Sequence, residues 1–134
     1  MDWCANIYRC RLLWTGVVLL SMGALIGCQQ NIYDGIKIKQ VPKEQYFALI
    51  DSLNNEYIID VRTGLEYNRA HIENAVSISF LNTDFDWKIA ELDTSRPVFI
   101  YCETAHRSPF AAKKLQKAGF GVIIDLEGGY STLR

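Results

Sequence analysis

The sequence predicts an α/β domain in which a parallel sheet is covered by helices on both faces. Three observations carry the layered part of that reading. Short, continuously apolar runs, Tyr57-Ile58-Ile59, Val98-Phe99-Ile100-Tyr101 and Val122-Ile123-Ile124, have the character of strands buried on both faces. Between them lie segments with apolar residues at helical spacing. The two kinds of segment alternate, as strand–helix–strand units do.

Taken in order, Ile36 to Val41 alternates apolar and polar residues like a half-buried strand, and Pro42 punctuates it. Lys43 to Leu53 carries Tyr46, Phe47, Leu49 and Ile50 at helical spacing and stops at Asn54-Asn55. The Tyr57–Ile59 strand follows, then a loop and short helix over Asp60 to Ala70, then a short strand at Ala75 to Ile78. Asp84 to Leu92 is helical, with Phe85, Ile89 and Leu92 on one side. Pro97 opens the Val98–Tyr101 strand. Ser108 to Ala118 is a helix with Phe110, Ala111, Leu115 and Ala118 on its apolar face and Lys113, Lys114 and Lys117 on the other. Gly119 is the expected helix stop. Val122–Ile124 is the last strand, and Gly128-Gly129 is a turn.

The chain has 134 residues, room for one domain, and a formal net charge of −1, which offers no basic surface for nucleic acid. Its hydrophobic content of 49% is concentrated near the N-terminus. Arg9 and Arg11 precede an uncharged run of 16 residues, Leu12 to Gly27, which ends in Leu25-Ile26-Gly27-Cys28. This resembles the lipobox of bacterial lipoproteins. The resemblance implies cleavage before Cys28, a lipid on that cysteine, and a protein exported to the periplasm or cell exterior and held to a membrane. A spanning helix needs about 20 apolar residues, so the run is short for a retained anchor. Retained anchoring and plain secretion are the alternatives. The expected organisation is a signal peptide at 1–27, a polar tether at 28–35 and one domain at 36–134.

Cleavage would remove Cys4 and Cys10, and lipidation would occupy Cys28. Cys102 is then the one free thiol, in an oxidising compartment and without a disulfide partner. It stands just past a strand, a few residues before a helix. Open α/β sheets bind ligands beyond the carboxyl ends of their strands. A helix N-terminus and the loop before it supply N–H groups that favour a thiolate, the nucleophilic form. Arg107 adds a charge at the helix start, and Ser108 is placed to cap the helix. The alternative is a buried core cysteine acting as a small hydrophobe.

The stretch Tyr101-Cys102-Glu103-Thr104-Ala105-His106-Arg107-Ser108 resembles the active loop of the rhodanese family, Cys-x-x-Gly-x-Arg-Ser. Asp60-Val61-Arg62, Glu66-Tyr67, His71-Ile72-Glu73-Asn74-Ala75, Gly119-Phe120 and Leu126-x-Gly128-Gly129 resemble its other signatures, in order. The resemblance covers Ile36 to Leu133. It implies a five-stranded parallel sheet and a sulfurtransferase that carries sulfur on Cys102 from a donor such as thiosulfate to a thiol or cyanide, without a cofactor or metal. Glu103, Thr104, Ala105, His106 and Arg107 would form the substrate cradle. Asp60, Arg62, Glu66 and His71 would support it, with Arg62 and Glu66 able to pair across one helical turn. Cysteine-dependent phosphatases and arsenate reductases resemble Cys-x5-Arg, one residue longer than the Cys-x4-Arg spacing here. A non-enzymatic sulfur-carrier or binding module is the other alternative. Ala105 stands where the family has glycine, a strained choice if that position needs a positive φ. Glu103 would oppose the thiolate and repel an anionic donor if it points inward.

Overall fold

The computed structural model describes residues 38–134. The N-terminal 37 residues, with Cys4, Cys10 and Cys28, lie outside that range, and so do the expected signal, the lipidation site and the tether.

The described chain alternates strand and helix. In order it forms β1 (Lys39–Val41), α1 (Lys43–Ser52), β2 (Tyr57–Asp60), α2 (Gly64–Arg69), β3 (Val76–Ser77), α3 (Phe85–Ala90), β4 (Val98–Tyr101), α4 (Ser108–Ala118) and β5 (Ile123–Leu126). A 3-10 turn at Tyr130–Leu133 follows. The five strands form one sheet in the order β1-β5-β4-β2-β3, and every pairing is parallel. β4 lies at the centre, and all four of its residues are buried. Val98 and Ile100 point to a core shared with Phe85, Ile89, Ala111, Ala112 and Leu115, the buried faces of α3 and α4. Phe99 and Tyr101 point to the opposite core, with Tyr46 of α1 and Ile72. This two-sided burial is why the strand reads as an unbroken apolar run.

Local chemistry fixes the ends. Thr63 and Glu66 form a reciprocal capping box at the start of α2. Gly119 ends α4 in the left-handed region at φ 107°. Two expectations differ. Phe110 is 59% exposed and stacks on Phe80 instead of entering the core; Ala112 takes the inward position. β5 runs on through Asp125 and Leu126, beyond the apolar run that marks its beginning.

Candidate active site

Cys102 follows directly on β4, at the carboxyl end of the central strand, and α4 begins six residues later. Between them the loop curls back on the sulfur. The backbone N–H of Arg107 donates to Cys102 Sγ at 3.3 Å, and Sγ lies 3.5 Å from Ser108 Oγ. The thiol is fully buried. Ala105 sits at φ 57°, so the turn does need the left-handed region, and an alanine there costs about 1–2 kcal/mol. The loop is held from outside by the segment after β5. Tyr130 N donates to the Cys102 carbonyl at 2.8 Å, and Ser131 N to the Glu103 carbonyl at 3.0 Å. Gly129 permits this approach, because a Cβ there would sit 2.5 Å from the Cys102 carbonyl oxygen.

Ser108 does not cap α4. It lies within the first turn, and Arg107 takes the cap position with near-helical angles and no side-chain cap. The Ser108 hydroxyl is thereby left to face the sulfur.

The expected supporting residues converge, though not in the expected pairs. Arg62 does not pair with Glu66. It is 2% exposed, and its Nη2 lies 2.7 Å from Asp60 Oδ2 and 2.6 Å from the Ala70 carbonyl. Its Nη1 donates to Glu103 Oε2 at 3.0 Å. Its guanidinium carbon lies 4.0 Å from the Tyr130 ring centre. Burial works against the Arg62 charge, but hydrogen bonds to Asp60 and Glu103 outweigh it and hold the group well above its usual range. Glu66 instead takes a bidentate fork from Arg107, with Nη1 to Oε2 at 2.9 Å and Nη2 to Oε1 at 2.7 Å. That fork, helped by Thr63, lowers the Glu66 pKa to about 2 although burial opposes it.

Glu103 does not stand as a bare charge against the thiol. Its carboxylate bridges Arg62 and Arg134. With Arg62, Glu66, Arg69, Ala70, Tyr130 and Arg134 it lines a cleft of about 390 Å³ beside the loop. Three arginines and two glutamates thus meet on its walls. Thr104 and His106 are exposed and bond to each other, Oγ1 to Nδ1 at 2.8 Å. His71 stands apart from this cleft. It stacks on Tyr67 with ring centres 3.9 Å apart, and its Nδ1 lies 3.0 Å from the Tyr67 carbonyl, an ordering role for the loop. Asn74, at φ 62°, is a second left-handed position and suits that residue type.

One carboxylate was not singled out from the sequence. Asp125, on the α4 side of β5, is 3% exposed and lies near Ser108. Burial raises its pKa to about 6, with Ser108 and Gln40 partly opposing the shift.

The described residues therefore form an open α/β domain in which Cys102 is cradled by the loop between the central strand and the following helix. The Rhodanese-like domain model matches residues 43–133, and the chain belongs to that family. It is 28% identical over 103 residues to the putative sulfur carrier protein YrkF of Bacillus subtilis, an alignment covering 77% of this chain and 55% of that one. The chain thus spans about half the length of that relative. It is 32% identical over 74 residues to the thiosulfate sulfurtransferase GlpE of Shewanella oneidensis, covering 55% of this chain and 71% of GlpE. Among solved structures, the Alr3790 protein of Anabaena matches with a TM-score of 0.59 at 25% identity, covering 68% of this chain and 81% of that one.

Proposed function

We propose that this protein is a sulfurtransferase that carries sulfane sulfur on Cys102. The observation behind the reading is the loop itself: a cysteine beyond the central strand, with Sγ accepting the Arg107 N–H at 3.3 Å. In the first half-reaction the Cys102 thiolate attacks the outer sulfur of thiosulfate. A new S–S bond forms, the old one breaks, and sulfite leaves with the electron pair. In the second, cyanide or a thiolate takes the outer sulfur and restores the thiolate. Loop N–H groups stabilise the anionic sulfur at each stage. The cleft lined by Arg62, Arg69 and Arg134 receives the anionic donor. The names of GlpE and YrkF, sulfurtransferase and putative sulfur carrier, support the sulfur chemistry. The buried thiol also favours a second reading, a sulfur carrier loaded by a partner rather than by thiosulfate. The four-residue loop is short for a phosphate, and hydrolysis of an aryl phosphate would count against sulfur transfer.

Thiocyanate formation from thiosulfate and cyanide decides between enzyme and carrier. The wild type produces it, and Cys102→Ser, folded by circular dichroism, does not. Equal rates in the two would overturn the assignment. We further propose, from the Leu25–Cys28 sequence, that Cys28 is acylated and carries the domain to a membrane. Cys28→Ala should then leave the membrane fraction. Its retention there with an intact N-terminus would indicate an uncleaved anchor.

A further inference from the structure

The inner side of the active loop holds a carboxylate that the steps above do not use. Asp125 Oδ2 accepts from Gln40 Nε2 at 3.0 Å. Oδ1 is buried and, among the described residues, has no hydrogen-bond partner of normal geometry. The Ser108 hydroxyl is the neighbouring side-chain donor, and the same hydroxyl lies 3.5 Å from Cys102 Sγ. Ser108 thus touches the sulfur and neighbours the Asp125 carboxyl, whose Oδ1 is unfilled, on the buried α4 side of the sheet. Bulk water does not reach the thiol, so a proton leaving it needs an internal acceptor.

We infer that Asp125 is a positioning residue that takes the Cys102 proton through Ser108. The S–H proton passes to Ser108 Oγ, and the serine's own proton passes to the Asp125 carboxylate as the hydroxyl swings to it. A thiol and a carboxylate become a thiolate and a carboxylic acid, with no net change of charge. A serine hydroxyl has one proton to donate. Beside an ionised Asp125 it turns to the carboxylate and leaves sulfur the donor. Beside a protonated Asp125 it turns to sulfur and stabilises the thiolate. The two groups therefore share one proton and titrate as a pair. Burial raises Asp125 to about 6, within reach of a proton acceptor near neutrality. The groups facing Asp125 are Gln40 from β1 and Ser108 from α4; the Tyr46 phenol of α1, which burial keeps neutral, belongs to the core on the opposite face of the sheet. Cys102 is faced by Ser108 and by Arg107, whose guanidinium is engaged by Glu66.

The role in catalysis rests on the sulfur-transfer reading; the proton coupling does not. The test is the ultraviolet thiolate absorbance against pH, taken as each protein minus its own Cys102→Ser counterpart. The wild-type signal should rise in two steps: a partial one near pH 6, then the remainder at higher pH, where the second proton leaves beside an anion. Asp125→Asn should give one step, complete at lower pH than in the wild type, because the amide keeps the hydroxyl turned to sulfur. Ser108→Ala should also give one step and should slow persulfide formation from thiosulfate about tenfold at neutral pH. The pH profile of that rate should lose its limb near 6 in Asp125→Asn. An Asp125→Asn titration that superimposes on the wild type overturns the inference, even if Cys102 takes up sulfur normally. A wild type that takes no sulfur but still shows the split titration keeps this inference and removes the proposed function.

Discussion

Glu103 stands on the outer side of the Cys102 loop and is met by two arginines; Asp125 stands on the inner side, and no cation pairs with it among the described residues. Glu103 is the sequence neighbour of the cysteine, yet its charge is matched before it reaches the sulfur. Asp125 is 23 residues further along the chain and approaches the same sulfur through one hydroxyl. The contrast separates two uses of a carboxylate. A paired one has its charge matched by the cations on either side of it. A buried, unpaired one sits close to its own titration and can exchange a proton. Proximity in sequence did not distinguish them; the cations around each do.

If pairing is what separates the two sides, removing a buried cation should have the largest effect. Arg62→Met would leave Asp60, fully buried, without its partner. Such a loss costs about 3–5 kcal/mol, and urea unfolding should show it. A change under about 1 kcal/mol would mean that water replaces the guanidinium.

The inner side should respond with the opposite sign. The folded pKa of Asp125 is raised, from 3.8 to about 6. Its protonated form is therefore favoured by folding. That stability is present below pH 3.8 and is lost as the pH rises through about 6. Asp125→Asn avoids the cost of ionising a buried carboxyl. It should be more stable than wild type at pH 8 by about 2–3 kcal/mol, with the gap closing near pH 4. Equal stability at both pH values would show that Asp125 is solvated in the folded state.

The Glu66–Arg107 fork should fall between the two sides. Glu66 is lowered from 4.5 to about 2, so its contribution is present above 4.5 and is lost as the pH falls through about 2. About a quarter of its side chain is exposed, which limits the loss in Glu66→Gln to about 1–2 kcal/mol at pH 7. That loss should vanish near pH 2, as thermal unfolding across the range would reveal.

Glu103 itself should matter little to stability or to the first half-reaction. Arg134 is 63% exposed, so Arg134→Ala should cost under about 1 kcal/mol. Glu103→Gln should alter kcat/KM for thiosulfate by no more than about fivefold, the same energy expressed as a rate. A change well beyond tenfold would mean that its charge is felt at the sulfur, as the sequence alone suggested.

The legible parts of the sequence were those whose signal is local. The two-sided burial of β4 is written in Val98–Tyr101, and the helix stop is written in Gly119. Cys102 was visible because strand, loop and helix follow one another there. Pairings between distant segments carried no such signal. Arg62 lies four residues before Glu66, which suggested one turn of helix, but α2 begins only at Gly64 and each residue turns to a partner 41 positions away. Asp125 was missed for a related reason. An aspartate is disfavoured in strands, so the apolar run predicts an end at Ile124, whereas β5 carries the acid through the buried layer. Glu103 was legible as a charge but not as a paired one, because Arg134 reaches it only after the last turn folds back over the loop.

The central claim is that Cys102, cradled by the Arg107 N–H, carries the sulfur. Mass spectrometry of the intact protein after thiosulfate, with peptide mapping, tests it most directly. The account predicts one added sulfur on the peptide containing Cys102, its removal by cyanide, and no addition in Cys102→Ser. An unmodified Cys102 peptide in a protein that still makes thiocyanate, or sulfur found on another residue, would contradict it.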